Sequence, residues 1–150
     1  MEESISSIPK MIIDEYNLKE QDPSSLSPLV LAYIGDTVFD LIVRTRLIEC
    51  ANEPVRKLNK KATSVVNATT QALMMREKIL PVLNEEEEKM YKRGRNAKSY
   101  TSSKNANIAD YRAATGMETL IGWLYLKGEI DRIMELVLPV IPEYERKSEN

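Results

Sequence analysis

Residues 29–43 read L-V-L-A-Y-I-G-D-T-V-F-D-L-I-V. The stretch is apolar almost all round a helical wheel, which makes it a central helix rather than an amphipathic surface helix. Ser27 stands where an N-cap belongs and Pro28 suits a first turn, so the helix is predicted from about Ser27 to about Cys50. In its middle lies Asp36. A carboxylate buried in an apolar helix is expensive unless a cation, a hydrogen-bond network or water reaches it. Residues 117–126, M-E-T-L-I-G-W-L-Y-L, repeat the anomaly, with Glu118 at the head of an apolar run. Each acid has a nearby glycine, Gly35 and Gly122, and glycine inside a helix costs about 1 kcal/mol. Close helix–helix approach is one compensating reason, and it could bring Asp36 and Glu118 to a common point. Spacing alone leaves two readings open. The acids are structural partners of arginine or tyrosine, or they form a divalent-metal site shared by two helices for phosphodiester hydrolysis.

Working outward, helical signals dominate. Glu53-Pro54 opens a second helix predicted to continue to about Ile79, its apolar positions fitting a 3.6 period better than a 2 period. Asn84 followed by Glu85–Glu88 is an N-cap with acids in the first turn, which complements the helix dipole, and that helix should end near Gly94. Residues 96–107 read as an exposed polar loop. A fourth helix is predicted from about Ile108 to Leu126, ended by Lys127-Gly128, and a fifth over about Glu129 to Leu138. There is no sustained alternation and there are only five glycines. The fold class is therefore all-α, five or six helices with short connections. A chain of 150 residues, 43% of them apolar, suffices for one domain with a single core.

Composition narrows the chemistry. The chain has no histidine, which removes Ser-His-Asp and Cys-His catalysis, imidazole zinc sites and a histidine base. The lone Cys50 removes a disulfide framework and a cysteine metal cluster. Carboxylates without histidine or cysteine favour hard cations, Mg²⁺ or Mn²⁺. No secretory signal is visible at the acidic, polar start, and Asp36 and Asp40 interrupt the longest apolar stretch. A cytoplasmic protein without a membrane partner is expected. Net charge is only −2, yet residues 56–104 hold 12 Lys/Arg against five Asp/Glu. One basic cluster is Arg56, Lys57, Lys60 and Lys61. The other is Lys89, Lys92, Arg93, Arg95, Lys98 and Lys104, which reads either as a solvated helix end or as a phosphate-binding patch. Gly94 within it reads as a helix cap or as room for a phosphate. Trp123 and Tyr125 read as core.

These residues resemble a known family. L-A-Y-I-G-D-T-V-F-D (31–40) is similar to the signature helix of the ribonuclease III catalytic domain, and M-E-T-L-I-G-W-L-Y-L (117–126) to its second metal-binding helix. With K-R-G-R-N-A-K-S (92–99) and the later Tyr111-Arg112, the pattern resembles the Mini-ribonuclease III family over about residues 26–140. Residues 1–25 form an N-terminal extension with no functional account, and 141–150 a charged tail.

The resemblance implies the all-α ribonuclease III endonuclease fold, working as a homodimer with its signature helices at the interface. It implies a Mg²⁺-dependent endoribonuclease that cuts double-stranded RNA to leave 5′-phosphate and 3′-hydroxyl ends. The natural substrate would be the 23S ribosomal RNA precursor, with a ribosomal protein as a further partner presenting that RNA. Asp36 and Glu118 would be the catalytic, metal-holding pair. Lys92, Arg93, Arg95, Asn96, Lys98, Lys104, Tyr111 and Arg112 would contact RNA. Larger relatives carry more acids, but the matching positions here are Leu29, Ala32 and Thr115. The rivals are a non-catalytic helical RNA-binding or scaffold protein that kept the fold, and a helical adaptor that binds protein through Leu29–Val43. Retention of two costly acids argues against a dead relative.

Overall fold

The computed structural model describes residues 8–97 and 107–143, and within these the chain is helical with no strand. The α-helices are α1 (Ile8–Tyr16), α2 (Pro28–Cys50), α3 (Val55–Val65), α4 (Ala68–Met74), α5 (Glu85–Arg95), α6 (Ile108–Leu126) and α7 (Ile130–Val137). Short side chains start most of them. Ser27 Oγ accepts from Val30 N at 3.3 Å to open α2, with Pro28 in the first turn. Asn84 opens α5 as a reciprocal capping box, its Oδ1 accepting from Glu87 N while Glu87 Oε1 accepts from Asn84 N. Asn107 caps α6, which runs to Leu126 and turns out through Gly128 at φ 79°.

One expectation is corrected. The helix expected from Glu53-Pro54 to about Ile79 is split at Val66–Asn67, because Asn67 turns extended and its side chain caps α4 by accepting from Thr70 N. α4 then passes into a π turn at Met75–Ile79 and a 3₁₀ turn at Leu80–Val82. The N-terminal extension, left without an account, contains α1, none of whose residues is fully buried.

α6 is the axle of the molecule. Eleven of its residues are buried, among them Met117, Leu120, Trp123 and Leu124, and it packs against α2, α4, α5 and α7. Trp123 lies in the core as expected, with its indole N–H donating to Ser24 Oγ at 3.0 Å; Tyr125 is half-buried. An ion pair with one buried partner ties α5 to α7: half-buried Arg132 bonds both oxygens of buried Glu87 at 2.8 Å. That pairing outweighs burial and holds the Glu87 carboxyl below its ordinary value.

Candidate active site

α2 and α6 cross glycine on backbone. A Cβ on Gly35 would fall on the Glu118 carbonyl oxygen, and a Cβ on Gly122 on the Leu31 carbonyl oxygen. No larger residue fits either position without separating the helices. The contact draws the two backbones together and carries Asp36 and Glu118 with them. Their carboxyl groups come close enough to hydrogen-bond. Burial, then the Asp36 charge, then that hydrogen bond push the Glu118 carboxyl up to about 8. Gln71 of α4 opposes the shift, its Nε2 donating to Glu118 Oε2 at 3.4 Å.

The burden of burial differs from the expectation. Asp36 is exposed and Glu118 is the half-buried acid. The reason is angular. Leu31, Gly35, Val38 and Phe39 face the core, and Asp36 lies one step round the helix at the edge of that face. Among the described residues no lysine or arginine is paired with either acid. The structural-partner reading through a cation therefore finds no support here. No group of three or more potential acidic or thiol ligands occurs among the described residues either. Ala32 and Thr115 are buried, and the Thr115 hydroxyl is used in donating to the Tyr111 carbonyl at 3.0 Å. Two converging carboxylates with no internal counter-ion, and an amide beside them, suit a hard divalent cation that keeps most of its waters.

Gln71 was not singled out by the sequence. Its signal was there, a glutamine among apolar positions of a helix, but a periodicity read over 54–79 as one continuous helix does not say which side of a split helix faces α6.

The basic residues divide. Arg93 was expected in solvent; instead it is half-buried, with Nη1 donating to the Ser24 carbonyl at 3.0 Å and Nη2 to the Leu26 carbonyl at 2.9 Å. It clamps the turn that leads into α2. Arg95 lies over the Tyr91 ring, 5.8 Å from its centroid, and its Nε donates to Asn96 Oδ1 at 3.3 Å. Lys92, Asn96 and Arg112 are exposed, Lys92 in a loose pair with Glu88 at 3.7 Å. Tyr111 is half-buried at the start of α6. Lys98 and Lys104 lie outside the described residues. Gly94 serves neither suggested role: a Cβ there would strike the Thr119 side chain and approach Gly116 Cα, so this glycine allows α5 to cross α6.

Comparison with known proteins agrees with this geometry. The Ribonuclease III domain profile matches residues 29–129, which include both acids and both glycines of the crossing. The class is thus the ribonuclease III endoribonucleases. Mini-ribonuclease 3 of Clostridium tetani is 51% identical over 132 residues, covering 87% of each chain. That of a Thermoanaerobacter species is 45% identical over 129 residues, covering 84% of this chain and 90% of the relative. A crystal structure of a Fusobacterium nucleatum protein superposes with a TM-score of 0.72 at 29% identity, covering 81% of this chain and 92% of that one. The chain belongs to the Mini-ribonuclease 3 family.

Proposed function

We propose that this endoribonuclease cleaves double-stranded RNA in a Mg²⁺-dependent reaction at the Asp36–Glu118 pair, with Mn²⁺ as a substitute. The convergence of those two carboxylates at the Gly35–Gly122 crossing, without an internal counter-ion, carries the reading. Asp36 and Glu118 would hold the ion, which when bound polarises the scissile phosphate and lowers the pKa of water. With Glu118 raised to about 8, its carboxyl carries a proton at neutral pH in the metal-free protein. That proton leaves as the site takes up a cation. Exposed Asp36 faces the side from which a duplex can approach. The chain has no imidazole to serve as a base.

Lys92, Arg95, Asn96 and Arg112, with Lys98 and Lys104, bind the backbone and 2′-hydroxyls of an A-form duplex, contacts that position and carry little sequence information. Tyr111, half-buried at the start of α6, contacts the RNA backbone beside them. Arg93 acts behind this surface, holding the turn before α2. The enzyme works in the cytoplasm as a homodimer through the exposed face of α2. Its natural substrate is the 23S rRNA precursor, presented with a ribosomal protein; the resemblance to the Mini-ribonuclease III family supports this finer assignment.

The test is cleavage of an RNA duplex with and without Mg²⁺ by the wild type and by Asp36→Asn. Cleavage should require the ion and fall by several orders of magnitude in the variant, each 1.36 kcal/mol of lost transition-state stabilisation being about tenfold. Duplex binding should persist, since it rests on the basic surface. Equal cleavage by the variant overturns the site. A duplex bound but never cut by the wild type favours the non-catalytic rival.

A further inference from the structure

Gln71 is 2% exposed, in the stretch of α4 that packs on α6. A primary amide in such surroundings costs on the order of 1–3 kcal/mol if left without a partner. The partner the fold provides is neither backbone nor solvent. It is Oε2 of Glu118, 47 residues away in sequence. The backbone around Gln71 is arranged for this placement. Asn67 starts a fresh helix one turn earlier, which sets the rotation of α4 independently of α3. The π turn that follows at Met75–Ile79 resets the rotation again, so that Met75 and Ile79 enter the core while Gln71 faces the acid. A split and a π turn on either side of one buried amide are costs that a plain helical connection would not incur.

We propose that Gln71 is a positioning residue for Glu118, its amide N–H holding one carboxylate oxygen so that the other is free for the cation shared with Asp36. Hydrogen bonds behind a ligand fix its orientation, and their loss typically weakens metal binding 10–100-fold. This rests on the metal-site reading above.

The test uses the full chain with Gln71→Met, which removes the donor and keeps an unbranched side chain of similar bulk, and with Gln71→Glu, which keeps the shape and adds a charge. Thermal unfolding is followed without RNA while Mn²⁺ is titrated, and Mg²⁺ dependence of cleavage is measured on the same preparations. For Gln71→Met the metal-free Tm should stay within a few degrees of wild type. The Mn²⁺ concentration for half of the stabilisation should rise about 10–100-fold, and the Mg²⁺ concentration for half-maximal cleavage should rise with it. Duplex affinity in the absence of metal should not change. Gln71→Glu loses the same N–H donor and adds a third acid, so its metal-free Tm should fall below that of Gln71→Met. A Gln71→Met protein with wild-type Mn²⁺ and Mg²⁺ dependence overturns the proposal. Should that variant fail to fold, Gln71→Asn, whose amide falls one methylene short of Glu118, decides in its place, and wild-type Mn²⁺ and Mg²⁺ dependence in it also overturns the proposal. A wild type whose Tm and cleavage ignore both metals would instead overturn the metal site itself, an outcome distinct from either.

Discussion

Glu118 occupies an unusual electrostatic position for a surface-reachable acid: apolar helix faces around it, a second carboxylate in front and one amide behind. Its folded-state value, about 8, lies above the ordinary 4.5. The folded, metal-free protein therefore binds a proton that the unfolded chain has released over that interval. Its stability should fall as pH rises from about 4.5 towards about 8, at up to about 1.36 kcal/mol per pH unit, and level off above. The chain has no histidine to add a competing titration in this window. Denaturant unfolding in a chelator from pH 5 to 9 should show the slope in wild type and a flatter line for Glu118→Gln. An identical slope in both would mean that another group titrates. Saturating divalent cation should remove most of the slope in wild type alone.

At the level of helices, the same device is used twice. Gly35 and Gly122 let α2 meet α6, and Gly94 and Gly116 let α5 meet α6, where a Cβ on Gly116 would come within 2.7 Å of the Tyr91 ring. The first crossing makes the acid pair. The second sets where the basic end of α5 lies relative to it. Arg93 and Arg95, two residues apart on that end, point to different tasks. Arg93→Ala should cost about 1–3 kcal/mol, since two carbonyls of the turn before α2 lose their donor, and should leave the salt dependence of duplex binding unchanged. Arg95→Ala should leave the unfolding midpoint near wild type and reduce the salt slope of binding by about one unit. Denaturation and salt-titrated binding on both variants separate the tasks. A changed slope for Arg93→Ala with unchanged stability would return it to the RNA surface.

For the whole molecule, the unresolved burden lies on α2. Val30, Tyr33, Leu41 and Ile48 follow one another at helical spacing and remain exposed, Tyr33 at 81%. α2 has its inner face on α6, and among the described residues this outer stripe stays exposed. A second copy related by a two-fold axis would cover that stripe. Asp36 lies between that stripe and the core face of α2, so a dimer would place two sites about the axis and leave each open to a duplex. Light scattering at micromolar concentration should give a two-chain mass for wild type and a one-chain mass for Leu41→Lys, whose metal-free fold should survive because Leu41 is 58% exposed in the single chain. A one-chain mass for wild type would refute the interface. No helix among the described residues is long and apolar enough to cross a membrane.

The limits of α2, α5 and α6, the all-α class and the meeting of Asp36 with Glu118 were legible in the sequence because each depends on local or pairwise rules. Caps at Ser27 and Asn84 act on the next turn of backbone, apolar periodicity marks the buried face, and glycine beside an acid in an apolar helix marks close approach. What the sequence left undecided depends on rotation and on distant neighbours. Whether Asp36 or Glu118 bears the burial follows from how α2 is turned about its axis against α6. Whether Arg93 reaches solvent or the carbonyls of Ser24 and Leu26 follows from a contact spanning 67–69 residues. Gln71 gained its meaning only when Asn67 broke the helix and turned α4 toward Glu118. Hydrogen bonds between remote segments leave no periodic trace in a linear chain, and only packing brings their donors and acceptors together.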